Sequence, residues 1–158
     1  MCDPCVSNTE RPTAEAYRCF VVHSPGQMEQ AFRIRRTVFI EEQGVPESIE
    51  MDELDASAVH VLCVVGNKAV ATGRLNFIDG EAKMGRVAVL QEHRGKGIGS
   101  LVVFFLMRQA REMGYHKVYA NVQMHTGDFY ARHGFKPVGS NFMEAGIQHI
   151  RMERMTGG

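Results

Sequence analysis

Apolar residues fall into two kinds of run along this chain. The first kind is short and rich in β-branched and aromatic residues. YRCFVVH (17–23), VHVLCVV (59–65), AVATGRLNFI (69–78), AKMGRVAVL (82–90) and YHKVYANVQ (115–123) are of this kind. Bounded by turn residues, such runs predict strands. The second kind recurs with helical spacing. Ser24-Pro25-Gly26-Gln27 opens one helix, with Ser24 as cap, Pro25 at the first helical position and Gln27 completing a capping box. Met28, Ala31, Phe32, Ile34 and Val38 then share a face, and the helix is expected to reach about Phe39. A longer apolar-faced helix is predicted from Ile98 to Met113, closed by Gly114, and a short one from Thr126 to His133, closed by Gly134. FKPVG and IQHIRMER predict a last pair of strands.

Turn signals complete the order. Gly66-Asn67-Lys68 marks a short hairpin, and Asp79-Gly80 another turn. ESIEMDELDASA, after Gly44-Val45-Pro46, is expected to be an acidic loop. The sequence of strand, helix, three antiparallel strands, helix, strand, helix, strand, strand predicts an α/β domain. Its sheet is mixed and carries helices on both faces.

Composition narrows the class. At 158 residues the chain reads as one domain, residues 17–158, behind a loose polar tail, residues 1–16. A zero formal net charge argues against a general nucleic-acid or membrane-surface binder. No apolar run has the length to span a bilayer, and the polar start MCDPCVSNTE lacks the features of a secretion signal, so a cytoplasmic location is expected. Cys2 and Cys5 form a C-x-x-C pair with no second pair at zinc-ligand spacing, so no metal site is expected. Cys63 reads as a small core residue.

The most informative stretch is VAVLQEHRGKGIGS (87–100), where a strand gives way to a glycine turn and the turn to a helix. The first peptide N–H groups of a helix have no helical partner, and the helix dipole adds partial positive charge there. That makes an anion site. Gly95, Gly97 and Gly99 let the backbone bend around an oxyanion, and Arg94 and Lys96 add cations. A phosphate loop of G-x-x-x-x-G-K-[ST] form is excluded, because Gly97 follows Lys96. A dinucleotide fingerprint is excluded as well, because Ser100 stands where its last glycine belongs.

What remains, R-x-x-G-x-G from Arg94 to Gly99 after VAVL, resembles the acetyl-coenzyme A pyrophosphate loop of the GNAT acetyltransferase superfamily. FYARHGF (129–135) resembles that superfamily's second cofactor motif. At finer grain, VFIEEQGVP (38–46), DELD (52–55) with His60, and AGIQHIRM (145–152) resemble a subgroup of small members, some of which look like glucosamine 6-phosphate N-acetyltransferases. The resemblance implies a GNAT fold: a mostly antiparallel mixed sheet with a central, splayed parallel pair. It also implies an acetyl-CoA-dependent N-acetyltransferase acting on a small primary amine. Glucosamine 6-phosphate is the first named candidate acceptor. A protein or polyamine acetyltransferase and a non-catalytic acyl-CoA-binding domain are the alternatives. A homodimer is a candidate assembly.

The same resemblance assigns roles. The cofactor's pantetheine arm is expected between Lys83–Leu90 and Lys117–Gln123, along Val87, Ala88 and Val89. The pyrophosphate is expected on Arg94, Gly95, Lys96, Gly97, Ile98, Gly99 and Ser100. Asn121 either contacts the pantetheine or acetyl region or fills the gap between strands. Tyr130 either protonates the thiolate or packs against the cofactor. An alkyl amine near pKa 10 must lose a proton before attack. Family members often carry a glutamate for this on the strand before the loop, but KMGRV (83–87) holds no carboxylate. His149, on the last strand, is the leading candidate base; Glu53, Asp55, His60 or a held water are the others. For the acceptor, Arg35, Glu42, Gln43, Asp55, His60, Arg74 and Arg86 are candidates. The arginines suit a sugar phosphate, whereas the acids of EMDELD suit a polyamine or basic peptide.

Overall fold

The structure, a computed structural model, describes residues 16–157. The Cys2–Cys5 pair and all of the expected tail except Ala16 lie outside the described residues. Seven strands form one sheet: β1 (Tyr17–Val21), β2 (Val59–Val65), β3 (Lys68–Ile78), β4 (Glu81–Val89), β5 (Lys117–Gln123), β6 (Lys136–Glu144) and β7 (Ile147–Met155). Their order is β1-β2-β3-β4-β5-β7-β6, so β7 slots between β5 and β6. Every neighbouring pair is antiparallel except β4 and β5. Three tight turns carry this meander. Gly66-Asn67 joins β2 to β3. Asp79-Gly80 (φ 51° and 78°) and Ala145-Gly146 (φ 52° and 76°) put two successive residues in the left-handed region, which matches the twist of a hairpin.

Helix α1 (Pro25–Arg35) begins as its residues predict: Ser24 Oγ accepts from the Gln27 N–H, and Gln27 Oε1 accepts from the His23 N–H. It does not stop near Phe39. It passes into a π-helical segment, Arg36–Glu42, a wider turn whose hydrogen bonds reach one residue further along the chain. The expected acidic loop is also structured, as a four-residue helix α2 (Glu47–Glu50) followed by a 3₁₀ turn, Glu53–Ser57. Helices α3 (Ile98–Glu112) and α4 (Gly127–Arg132) follow the predicted bounds closely. No helix among the described residues is long and apolar enough to cross a membrane.

The sheet separates two apolar layers. Under α3, the buried side chains of Val102, Val103, Leu106 and Ala110 meet Val61, Cys63, Leu75, Met84, Val118 and Phe135. On the opposite face, Ala31, Ile34 and Val38 of α1 and its extension meet Leu62, Val64 and Ala88. Burying each such aliphatic side chain contributes about 1.5–3 kcal/mol. Gly73 sets how closely α3 can approach: an added Cβ would lie 2.7 Å from Val102 Cγ1 and 2.8 Å from Leu106 Cδ1.

Candidate active site: a splayed strand pair and the face beside it

Strands β4 and β5 pair in register only at Ala82↔Val118 and Lys83↔Tyr119. Just beyond, β4 carries a bulge. Arg74 pairs with Gly85 and Thr72 with Ala88, so Gly73 alone faces both Arg86 and Val87. Arg86 takes φ 52°, a conformation that side chains other than glycine seldom adopt. The bulge turns β4 away from β5. Among the described residues, Val87 and Val89 then have no strand partner on the β5 side, as expected for a segment that receives an extended ligand by strand addition.

The wedge opens towards the glycine turn. Gly95 (φ 78°) and Gly97 (φ 81°) hold the left-handed conformation, with Gly97 as the N-cap of α3. A Cβ on either would meet nothing within 4 Å, so their role is conformational. Gly99 differs: a Cβ there would lie 3.3 Å from the Phe129 ring, so it lets α4 close against the start of α3. Ile98 is buried, and the 94–97 turn is exposed.

Two side chains in this turn already have protein partners. Arg94 Nε donates to the Val89 carbonyl (2.8 Å), and Arg94 Nη2 donates to Glu42 Oε1 (2.7 Å). Arg94 is therefore a strut from the phosphate loop to the π-helical segment, where a mobile cation was expected. Glu42, a candidate acceptor residue, completes that strut. Gln43 caps the same segment and is exposed. Ser100 offers its backbone N–H, but its hydroxyl lies 2.7 Å from His133 Nε2. His133 Nδ1 donates to the Phe129 carbonyl (2.7 Å), so in the neutral ring Nε2 accepts from Ser100.

Tyr130 lies on the α3 side of the sheet, edge-on to Phe129 and Phe135. Loss of water around its phenol pushes its pKa up to about 12, so it is protonated at neutral pH and can hydrogen-bond a developing thiolate. Asn121 projects from the other face of β5, where its Nδ2 donates to Glu144 Oε1 over 3.4 Å.

That other face, on the α1 side, divides in two. Over β3 and β4 lies the 47–57 segment, held down by three arginines. Arg35, only 1% exposed, donates through Nε to Glu50 (2.9 Å) and through Nη1 to Asp55 (2.8 Å). Arg74 Nη1 donates to Asp52 (2.7 Å) and Asp55 (2.8 Å). Arg86 Nη2 donates to Asp52 (3.2 Å), and its Nε lies 3.1 Å from Glu50 Oε2. His60 Nε2 donates to the Asp55 carbonyl (2.9 Å), and Asn76 Nδ2 donates to the Leu54 carbonyl (3.0 Å). Burial alone would raise the Asp55 pKa, but hydrogen bonds from Arg35 and Arg74 outweigh it and hold the carboxyl below its ordinary range. Glu50 is the reverse, pushed up by burial against the pull of Arg86 and Arg35. Burial lowers the pKa of His60.

These contacts correct the acceptor assignment. Arg35, Arg74 and Arg86 with Glu50, Asp52 and Asp55 form a neutralised knot of three guanidinium groups and three carboxylates, with His60 on the Asp55 carbonyl, and not an exposed anion site. Of the acids of EMDELD, Glu50, Asp52 and Asp55 are engaged in the same pairs, and Glu53 is exposed and lines the adjacent cleft. A cleft of about 950 Å³ lies beside the knot, lined by Met28, Phe32, Asp55, Val59 and His60 among others. None of its lining residues belongs to β4 or β5, so it stands apart from the wedge.

The second half of the face is formed by β5, β7 and β6. Arg151 lies over the Tyr119 ring, 3.8 Å from its centroid, and bridges Glu81 (2.9 Å) and Glu153 (2.8 Å). His149 is 5% exposed, donates through Nδ1 to the Ile147 carbonyl (2.7 Å) and stacks on Phe142. It sits on β7 opposite Gln123, one strand across β5 from the wedge, with Nδ1 turned to its own strand. The residue that sequence reasoning passed over is Lys83, at the last paired rung before the strands part. The strand KMGRV holds no carboxylate, but it does hold this lysine. The partners of the arginines were missed too. Arg74, alone among apolar neighbours in AVATGRLNF, was the available signal, because a charge in a buried strand requires a counter-charge.

A parallel strand pair that opens beside a glycine turn capping an apolar helix defines a binding site for a nucleotide-linked acyl carrier. Comparison with known proteins agrees: residues 15–156 match the Acetyltransferase (GNAT) domain family. The chain is 33% identical to the uncharacterized N-acetyltransferase YjcF of Bacillus subtilis over 136 residues, 85% of this chain and 97% of that protein. It is 32% identical to ElaA of Escherichia coli over 140 residues, 83% of this chain and 89% of that one. The ElaA crystal structure superimposes with a TM-score of 0.76, covering 89% of this chain and 99% of that one. A Lactobacillus plantarum protein at 22% identity shares the fold with a TM-score of 0.83. The chain belongs to the GNAT acetyltransferase family and is an acetyl-CoA-dependent N-acetyltransferase.

Proposed function

We propose that the protein transfers the acetyl group directly from acetyl-CoA to a small primary amine that carries no phosphate. The pyrophosphate meets the N–H groups of the 94–100 turn, and the pantetheine lies along Val87 and Val89. The acceptor approaches over the β5–β7 side of the wedge. The observation that favours an acceptor without phosphate is the neutralised knot. Arg35, Arg74 and Arg86, the cations that suited a sugar phosphate, each meet a carboxylate at 3.2 Å or less. Taking a phosphate there would strand a buried carboxylate, which costs several kcal/mol.

Direct transfer needs no covalent enzyme intermediate. The amine attacks the thioester carbon, the carbon–sulfur bond breaks, and a proton reaches the thiolate. Tyr130 supports the last step by donating a hydrogen bond to sulfur. Its raised pKa keeps that proton in place but makes complete transfer unfavourable. A thiol-release assay over a panel of amines tests this reading, with amino acids, polyamines, glucosamine and glucosamine 6-phosphate as arms. Release with phosphate-free amines is expected. Release with glucosamine 6-phosphate alone would restore the sugar-phosphate acceptor. Tight acetyl-CoA binding with no release from any of these amines would overturn the small-amine acceptor.

A further inference from the structure

We propose that Lys83 is the general base that deprotonates the acceptor amine. Its place in the fold carries the argument. Lys83 occupies the last rung at which β4 and β5 still pair, opposite Tyr119, so it stands at the apex of the wedge. Its neighbours Ala82 and Met84 are buried under α3, and strand alternation therefore turns Lys83 to the opposite, acceptor-side face. There it lies between the strapped half of the face and the β5–β7 half, and it is partly buried.

The cations around it are otherwise committed, and Glu144 keeps its charge beyond ion-pair distance. On β3 and β4, Arg74 and Arg86 are held by Asp52, Asp55 and Glu50. On β5 and β7, Tyr119 lies under Arg151, which is held by Glu81 and Glu153. On β6, Glu144 accepts from Asn121. His149 is turned to the Ile147 carbonyl. Among the described residues, no carboxylate lies within ion-pair distance of Lys83 Nζ. An amine that is partly dehydrated, unpaired and beside two guanidinium groups holds its proton less tightly. Burial lowers its pKa most, Glu144 opposes that, Arg74 and Arg86 lower it again and Asp52 opposes them, leaving it below the ordinary lysine value. Lysine takes a base role in such surroundings because its charge can be removed, which an arginine's cannot.

The balance of the step is simple. A proton passes from the acceptor ammonium to neutral Lys83 Nζ. The freed nitrogen lone pair forms the bond to the thioester carbon. The carbon–sulfur bond breaks with its electron pair on sulfur, and the second amine proton ends on the thiol. Lys83 then returns its proton to solvent.

The assignment rests on the reading that the acceptor amine enters over this face, and the test separates the two. Lys83→Met and Lys83→Arg are compared with the unaltered protein for kcat between pH 6 and 10.5, with acetyl-CoA affinity measured by calorimetry. Both variants are expected to bind acetyl-CoA as before and to lose kcat by about 100-fold or more. Both lose the rising alkaline limb of the profile. In the unaltered protein that limb keeps its position when ethylamine is replaced by the less basic trifluoroethylamine. Competitive labelling with acetic anhydride across pH is expected to give Lys83 a pKa below that of ordinary lysines. Full kcat in Lys83→Met overturns the proposal. So does activity in Lys83→Arg with only KM raised in Lys83→Met, which identifies an anion anchor. An ordinary lysine pKa on labelling overturns it whether or not an acceptor is found. A protein that binds acetyl-CoA but acetylates no amine overturns the acceptor reading and this base together.

Discussion

Two regions of this molecule gather cations against one sheet, and their chemistry diverges. At the start of α3, Lys96 is exposed and the peptide N–H groups behind Gly97 have no helical partners. Under the 47–57 segment, Arg35, Arg74 and Arg86 are matched by Glu50, Asp52 and Asp55. The first region has surplus positive potential and awaits an anion. The second has none to spare, and its role is to fix a segment in place. Counting basic residues does not separate them; what separates them is whether the counter-charge is supplied by the fold. The Arg94–Glu42 strut lies between the two and joins the loop to the segment that leads into the strap.

The contrast breaks most visibly at Gly97. A Gly97→Glu variant places a carboxylate where the diphosphate binds. Like charges in contact cost several kcal/mol, so acetyl-CoA affinity measured by calorimetry should fall by at least about 100-fold. Because a Cβ at Gly97 meets nothing within 4 Å, the fold should survive with a left-handed backbone penalty of about 1–2 kcal/mol. The mirror experiment is Arg74→Met. It leaves Asp52 and Asp55 short of a partner, and denaturant unfolding should show a loss of about 3–5 kcal/mol. Intact stability there would mean that the knot does not hold the strap.

Gly73→Ala probes what both regions depend on, the seating of α3 on β3. Overpacking against Val102 and Leu106 should cost about 1–3 kcal/mol in the same assay. Acidification sharpens the contrast further. The Asp55 pKa is depressed in the folded state, so its stabilisation is complete above its unfolded value near pH ~4 and is lost as pH falls through the lower folded value. Glu50, raised by burial, contributes in the opposite sense: its share is present below its unfolded value and fades as pH rises through the folded one. Asp55→Asn should flatten the acid limb of stability against pH, and an unchanged limb would remove Asp55 as its source. The smallest effect is expected at Glu42→Gln. This partly exposed pair should cost no more than about 1 kcal/mol of stability, and its loss should instead free Arg94 and alter acetyl-CoA affinity.

The division between what the chain disclosed and what it hid follows the same line. The strand–glycine–helix run was legible because its chemistry resides in the backbone, and glycine spacing reports backbone shape. The two apolar layers were legible because periodicity reports burial. Side-chain pairing was not. Arg35 lies 15 to 20 residues from its carboxylates and Arg74 19 to 22, and no local pattern links them. His149 looked like a base because alternation shows which face a residue takes, but not which strand lies next to it. The insertion of β7 between β5 and β6 decides that. Lys83 was hidden because a single lysine on a half-buried strand carries no local sign of which charges the fold sets around it.

The irregular residue in β4 has one more effect. Ahead of Arg86, even-numbered side chains Ala82 and Met84 lie under α3. Past it the odd ones, Val87 and Val89, pack on that side, while Ala88 faces α1. The strand is in effect two phases spliced at a single residue. Excising Arg86 would leave the strand's valines in the same layer on an unbroken period-two strand, so what the extra residue supplies is the bend away from β5 and not the layer its neighbours occupy.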